Sequence, residues 1–416
     1  RSTPTSGTAR SERPSSARTL EHADGDRLRG VSRRAFIVVL DAVGAGELPD
    51  AASFGDEGSN TLGHVAEVVG GLRLPNLQAL GLGNVLPLEG CPPLASAPSV
   101  AGRLLEHSQG KDTTVGHWEL AGIVTERPFP TFPNGFPQEV LDAFAEATGR
   151  GVIGNVAASG TEIIQRLGPE HQRTGKWIVY TSADSVFQIA AHEATVPLEE
   201  LYAASRTARG LLTGEHAVGR VIARPFEGEP GAYRRTANRH DFSLEPPRPN
   251  YLTRIREAGS RVTGVGKIGD VFAGCDIDES QPTHSNAEGL ARTIALARGD
   301  ADGLVFVNLV ETDMTYGHRN DPEGFHRCLQ EIDAAIPDLL GALGPDDLLV
   351  LTSDHGCDPT TPSTDHSREY ALLVAHVPGR EAAGRHDGEF GDVGATVAAW
   401  LGARTDDGLP GAPIDL

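Results

Sequence analysis

Arg34-Ala-Phe-Ile-Val-Val-Leu-Asp41 is the stretch whose reading decides the fold. It is a short apolar run rich in β-branched residues, which suits a strand buried on both faces, as parallel strands are. It ends in a carboxylate, and Gly44 and Gly46 follow. The same design returns twice. Asp302-Gly-Leu-Val-Phe-Val-Asn-Leu-Val310 runs into Glu311-Thr312-Asp313, and Asp346-Asp-Leu-Leu-Val-Leu-Thr-Ser353 runs into Asp354-His355. Between those two, Phe325, Leu329, Ile332, Ile336 and Leu339/Leu340 recur at helical spacing within Glu323 to Leu343. Strand, helix and strand with short connections make a βαβ unit. The pattern predicts an α/β fold with a central, mostly parallel sheet flanked by helices.

The chain has 416 residues, more than one core usually holds, since cores split beyond roughly 250–300 residues. Residues 1–30 are polar and without hydrophobic period, and are expected to be a disordered tail. Glu12, Glu21, Asp24 and Asp26 argue against a transit peptide there, and no signal-peptide apolar core is present. In the middle of the chain, Pro128, Pro130, Pro133 and Pro137 precede a helix-like run over 139–148. Strands are expected at Lys176–Tyr180 and Gly219–Ala223, and a helix over Leu198–Leu212. Pro246-Pro247-Arg248-Pro249 closes the region. Proline clusters on both sides predict hinges around a smaller inserted α/β cap domain, 128–245. The core domain would then be 31–127 and 246–405, with a C-terminal tail at 406–416.

Charge narrows the function classes. Asp+Glu 57 against Lys+Arg 36 gives a formal net charge of −21. That average field repels a nucleic-acid backbone and an anionic membrane surface. No apolar run approaches the roughly 18 residues of a membrane span. An anionic substrate remains open if metal ions reverse the sign locally. Cys91, Cys275, Cys328 and Cys357 form no C-x-x-C pair, which suits free thiols in a reducing cytoplasm.

In open α/β sheets functional groups gather at the carboxyl ends of the strands. One acidic residue there is usually a cap or a turn former. Here three ends offer Asp41, then Asp313 with His318, then Asp354 with His355, and Asp365-His366 follows in a loop. Three aspartates and three histidines could hold two ions, and these donors suit Mn²⁺, Zn²⁺ or Fe²⁺. A second signal is Gly110-Lys-Asp-Thr-Thr-Val-Gly-His-Trp-Glu119. Thr113 and Thr114 stand where a helix could start, and a helix N-terminus receives phosphate well. A hydroxyl there is either an N-cap or, beside a dication, a nucleophile. A P-loop is excluded, because Asp112 follows Lys111 and Leu105 occupies the first glycine position. Gly264-Val-Gly-Lys-Ile-Gly269 fits the dinucleotide fingerprint, but residues 270–278 make a poor continuing helix. A glycine-rich loop presenting Lys267 to an anion fits better.

These segments together resemble the phosphopentomutases of the alkaline phosphatase superfamily. The resemblance rests on Val39–Gly46, Thr61–His64, Gly110–Glu119, Tyr180–Ser185, Gly266–Asp270, Asp313–His318, Thr352–Gly356 and Asp365–Ser367, which run in family order. It implies an alkaline-phosphatase-like core with an inserted cap. It implies one metal on Asp313, His318 and His366, another on Asp41, Asp354 and His355, and Thr113 as the bridging, phosphorylated nucleophile. Ser182 and Asp184 match positions facing the sugar, and Arg220 and Lys267 match positions that steady the substrate. Asn60 departs from a commonly acidic position, and Glu311-Thr312 from a more usual Asp-Phe pair. The implied reaction interconverts ribose 1-phosphate and ribose 5-phosphate, and the deoxyribose pair, through a sugar bisphosphate. The implied cofactors are two Mn²⁺ ions with an activator such as glucose 1,6-bisphosphate, in a cytoplasmic monomer. The rivals are a hydrolase on the same site, a cofactor-independent phosphoglycerate mutase, which usually carries serine as nucleophile, and a non-catalytic metal- or dinucleotide-binding protein.

Overall fold

A computed structural model describes residues 33–416 apart from 183, 300, 382–383 and 407. The tail expected at 1–30 lies outside the described residues. In chain order the strands are β1 (Arg34–Leu40), β2 (Gly44–Glu47), β3 (Val100–Leu105), β4 (Val152–Ala157), β5 (Trp177–Thr181), β6 (Val186–His192), β7 (Arg220–Glu227) and β8 (Arg234–Arg235). There follow β9 (His240–Ser243), β10 (Val262–Val265), β11 (Glu279–Gln281), β12 (Gly303–Leu309), β13 (Asp347–Thr352), β14 (Glu369–His376) and β15 (Gly388–Glu389).

The larger sheet has nine strands in the order β11-β10-β12-β1-β13-β14-β3-β15, with β2 against β14. Strands β11 to β13 are mutually parallel, while β14 runs antiparallel to β13 and to β3. Burial explains the central run: every residue from Ala35 to Leu40 is buried. One face packs Val38 and Leu40 against Leu329, Ile332 and Ile336 of the helix Pro322–Leu340. The other packs Ile37 and Val39 against Trp118 and the helix Gly391–Trp400. Register then sets the site, because Leu40 lies opposite Leu309 and Val39 opposite Thr352. The segments carrying Asp41, Asp313 and Asp354 therefore leave the sheet at one edge.

The second sheet has six strands, β4-β5-β6-β7-β8 with β9 against β7, all within residues 152–243. It has its own apolar clusters on its two faces, around Phe144, Trp177 and Phe187 and around Ile164, Tyr180 and Phe226. The strand expected to end at Ala223 continues to Glu227. Residues 408–416 are not loose: Ile414 is buried, and Asp392 and Thr396 accept hydrogen bonds from the backbone of Ala412 and Ile414. Among the described residues no helix is long and apolar enough to cross a membrane.

Candidate active site

Asp41, the residue after β1, is wholly buried. Its Oδ2 accepts from Asn308 Nδ2 on β12 at 2.9 Å, while Oδ1 makes no hydrogen bond. Asp354 repeats this division. Its Oδ1 accepts from Ala42 N at 3.1 Å and its Oδ2 makes no hydrogen bond. Ala42 is held at φ 64, a left-handed conformation costly for a residue with a Cβ, as strained backbone at functional sites often is. His355 Nδ1 donates to the Gly356 carbonyl at 3.0 Å, which leaves the Nε2 lone pair free. That Nε2 lies 3.4 Å from both Asp41 Oδ1 and Asp354 Oδ2.

Asp313 sits in a π-helical turn, Thr312–Tyr316, which gives way to a 3-10 turn, Gly317–Arg319. Single π turns are rare and recur at functional sites. The change of winding brings His318 Nε2 to 3.4 Å from Asp313 Oδ1, and His366 Nε2 stands at the same distance. His318 Nδ1 donates to the Thr364 carbonyl at 2.7 Å, so its Nε2 also faces inward as an acceptor. The His355 and His366 rings lie 4.0 Å apart, which makes the two groups neighbours. The six residues expected as ligands lie close together, but their donor atoms fall into overlapping groups, Asp41 with Asp354 and His355, Asp313 with His355 and His366, and Asp313 with His318 and Cys357. Cys357 was not anticipated; its thiol could join Asp313 and His318.

The chemistry of this donor set fits cations. Asp41 Oδ1, Asp354 Oδ2, Asp313 Oδ1 and His366 Nε2 are buried and without hydrogen bonds. Two donors each about 2.1 Å from one tetrahedral cation lie about 3.4 Å apart, the spacing seen here. Burial opposes a positive His355, yet Asp354, Asp41 and Asp313 outweigh it and hold the imidazole well above its ordinary pKa.

Thr113 begins the helix Thr113–Leu120, and Asp112 caps it by accepting from Thr114 N at 2.9 Å and Val115 N at 3.2 Å. Thr113 Oγ1 reaches His355 Nε2 at 3.3 Å. Gly116 lets this helix approach, since a Cβ there would collide with the Asp354 carbonyl. His117, missed as a site residue from sequence, is wholly buried. Its Nδ1 lies 2.8 Å from the Thr113 carbonyl and 3.1 Å from Asp354 Oδ2.

Ser182, Asp184 and Arg220 form a separate group at one edge of the second sheet. Arg220 lies 4.0 Å from Asp184 and 3.6 Å from Asp241, and Asp184 N donates to Ser182 Oγ. Lys267 stands after β10, before the short helix Ile268–Val271 that packs on β9. Its side chain has no ion pair among the described residues. Lys111, by contrast, is tied to Asp56 at 2.9 Å and to Asp365 at 3.5 Å. Asn60 caps the helix Thr61–Val68, and Glu311 accepts from Asn286 N, so both departures serve backbone capping.

The loop carrying Thr113 hangs on a buried arginine. Arg368 donates to Glu106 Oε2 at 2.6 Å, to the Gly110 carbonyl at 2.8 Å and to both oxygens of Asp50 at 3.1 Å. Its backbone N donates to Asp56, the partner of Lys111. Arg368→Met strands the buried Glu106 carboxylate and is expected to cost about 3–5 kcal/mol, read by urea unfolding. A loss under 1 kcal/mol would contradict this reading of the network.

The metalloenzyme superfamily model matches residues 33–405. The chain is 57% identical over 378 residues to the phosphopentomutase of Anaeromyxobacter dehalogenans, covering 90% of this chain and 96% of that one. It is 55% identical over 376 residues to that of Desulfitobacterium hafniense, covering 89% and 96%. The Carboxydothermus hydrogenoformans phosphopentomutase is 56% identical over 344 residues, covering 83% and 89%. With that identity along nearly its whole described length, the chain belongs to the phosphopentomutases of the metalloenzyme (alkaline phosphatase) superfamily, isomerases of the phosphotransferase-type mutase class.

Proposed function

We propose that the protein interconverts the 1- and 5-phosphates of ribose and deoxyribose by passing a phosphoryl group through Thr113. The observation that carries this is the placement of Thr113 Oγ1 3.3 Å from His355 Nε2, beside the unpartnered oxygens of Asp41 and Asp354. Asp313, His318 and His366 would hold one Mn²⁺, and Asp41, Asp354 and His355 the other. Such ions supply Lewis acidity for the attacking and leaving oxygens of an in-line phosphoryl transfer. Asp112, by taking the Thr114 and Val115 N–H groups, fixes the helix start from which Thr113 presents its hydroxyl. Phospho-Thr113 gives its phosphoryl group to the sugar monophosphate, and the resulting bisphosphate returns its other phosphate to Thr113. A sugar bisphosphate such as glucose 1,6-bisphosphate would charge Thr113 at the outset. Ser182 and Asp184 would face the sugar, with Arg220 and Lys267 steadying the phosphate. The four cysteines are unpaired, which suits a cytoplasmic enzyme, and we take it as a monomer.

Residues 128–245 are read as a cap that excludes water, the hazard that would turn transfer into hydrolysis. Phe129 and Leu244, at its two ends, pack on the core cluster around Trp118. Limited proteolysis is expected to cut near Pro128–Pro137 or Pro246–Pro249, more slowly with substrate present. Cutting elsewhere, indifferent to substrate, would remove the cap role. The reaction itself is tested by incubation with ribose 1-phosphate, Mn²⁺ and catalytic glucose 1,6-bisphosphate. Ribose 5-phosphate is expected; free phosphate in its place would identify a hydrolase.

A further inference from the structure

The stretch that introduces Thr113 ends in Gly116-His-Trp-Glu119, and the helix Thr113–Leu120 buries all four of these residues. Gly116, Trp118 and Glu119 have plain structural duties. Gly116 admits the Asp354 carbonyl, Trp118 Nε1 donates to the Val271 carbonyl at 3.0 Å, and Glu119 accepts from the backbone of His107 and Ser108. His117 differs. It is 0% exposed, and its ring stacks on Phe306 of β12 with centroids 5.7 Å apart and planes at 27°. A slot against a phenyl ring is filled more favourably by an apolar side chain, because a buried ring nitrogen without a partner costs free energy. His117 Nε2 is such a nitrogen. What offsets that cost lies on the other side of the ring.

There Nδ1 meets two oxygens, the Thr113 carbonyl at 2.8 Å and Asp354 Oδ2 at 3.1 Å. Both are acceptors, so the hydrogen sits on Nδ1. Its N–H is directed at the carbonyl, and the carboxylate oxygen lies at its flank. Helical side chains lean back over the preceding turn, which is why the residue four positions after Thr113 faces the Thr113 carbonyl. The two oxygens belong to the two groups whose spacing phosphoryl transfer requires. Thr113 Oγ1 lies 3.3 Å from His355 Nε2, and Asp354 Oδ2 lies 3.4 Å from the same nitrogen. Ala42 N holds the other oxygen of Asp354. One imidazole edge therefore touches both the turn that presents the nucleophile and the carboxylate oxygen that faces the ion site.

We propose that His117 is a positioning residue, whose Nδ1–H holds the Thr113 turn and the Asp354 carboxylate in one fixed geometry and so keeps the nucleophile in register with an ion bound at Asp41, Asp354 and His355. This rests on the mutase reading above and deepens it. His117 acts only through Thr113 and Asp354 and takes no part in a covalent step. Loss of the outer partner of a metal ligand typically costs about 10–100-fold in metal affinity or activity. Displacing a reacting group by about 1 Å can cost about 10²-fold in rate.

The test sets packing against hydrogen bonding in the full-length protein. His117→Phe keeps a ring to stack on Phe306 and removes the donor. His117→Asn gives up volume, but its amide nitrogen can stand where Nδ1 stands. Each metal-free protein is titrated with Mn²⁺, and the free ion is followed by electron paramagnetic resonance. His117→Phe should weaken uptake of one ion at least about tenfold. It should also lower kcat for isomer exchange about 10²-fold, with KM for ribose 1-phosphate within about twofold of the parent. His117→Asn should recover most of both losses. A residue that only fills space gives the reverse order, with the Phe variant near the parent and the Asn variant impaired. That order, or equal Mn²⁺ uptake by all three proteins, overturns the proposal. Should His117→Phe fail to fold, His117→Gln, whose amide falls near the Nε2 position, should show the same loss, and a Gln variant as good as the Asn variant overturns the proposal equally. Failure of the mutase reading would register separately, as absent isomer exchange in the unmodified enzyme, because the Mn²⁺ titration needs no turnover.

Discussion

Thr113→Ala is expected to lower isomer exchange by about 10⁴–10⁶-fold, the scale on which losing a covalent nucleophile acts. No other group at the site can take over. Thr114 is adjacent, but successive residues of a helix point about 100° apart, and it is Thr113 Oγ1 that reaches His355. The variant should still bind metal, since all six candidate ligands remain, and the Asp112 cap uses the backbone of Thr114 and Val115 rather than the Thr113 side chain. Thr113→Ser keeps the hydroxyl and should retain part of the activity, reduced by freer χ1 rotation. Thr114→Ala should cost about 1 kcal/mol or less in stability and little in rate. Incubation with labelled glucose 1,6-bisphosphate followed by peptide mapping decides the matter. Label on Thr113 is the expected result, and label on Thr114 or His117 overturns the assignment.

The three strands that build the site were legible because each is an apolar run closed by a carboxylate, and burial on both faces leaves no alternation to misread. Other elements were hidden for identifiable reasons. The helix Gly160–Thr174 contains Gly168 and Pro169, residues that ordinarily break a helix. Gly168 is there because a Cβ would meet the Tyr233 ring. Strand β3 reads Val-Ala-Gly-Arg-Leu-Leu, and Gly102 interrupts its pattern where the His386 carbonyl approaches too closely for a Cβ. The antiparallel pairing of β14 with β13 and β3 depends on long-range register, which no local pattern contains.

The candidate ligand residues were legible as types at strand ends, and family resemblance proposed how they divide into two sets. Their supports were not. Asn308 is a polar residue in an otherwise apolar strand, and that oddity was the available signal for the amide that holds Asp41 Oδ2. His117 reads as one more buried helical residue until the turn above it proves to carry Thr113. Arg368 lies two residues beyond His366, yet its partners Asp50, Glu106 and Gly110 are more than 250 positions away in sequence. A buried five-donor group of this kind is defined only by the tertiary contacts that satisfy it.

Metal dependence carries the second large effect, and charge sets its sign. Asp41, Asp313 and Asp354 are 0%, 4% and 0% exposed. Among the described residues none of them pairs with a lysine or arginine. Burial opposes ionisation of Asp354, but His355 and His117 outweigh it and hold its pKa below the usual carboxylate value. An ion that binds only the folded cluster stabilises it, so the metal-free protein should be the less stable form. Chelation is expected to abolish isomer exchange and lower the melting midpoint, and Mn²⁺ at 100 times its Kd should return about 2.7 kcal/mol. Asp354→Asn separates charge from packing. Its amide oxygen can still accept from Ala42 N, while one negative charge leaves the cluster. The metal-free variant loses the pairing with His355 and His117 and should melt lower than metal-free parent; it should also gain little from Mn²⁺, bind at least one ion fewer, and lose about 10³-fold or more in rate. Metal counting and paired melts with and without Mn²⁺ read all of this. Full activity in chelated protein, or equal Mn²⁺ stabilisation of variant and parent, would exclude a metal centre built on Asp354.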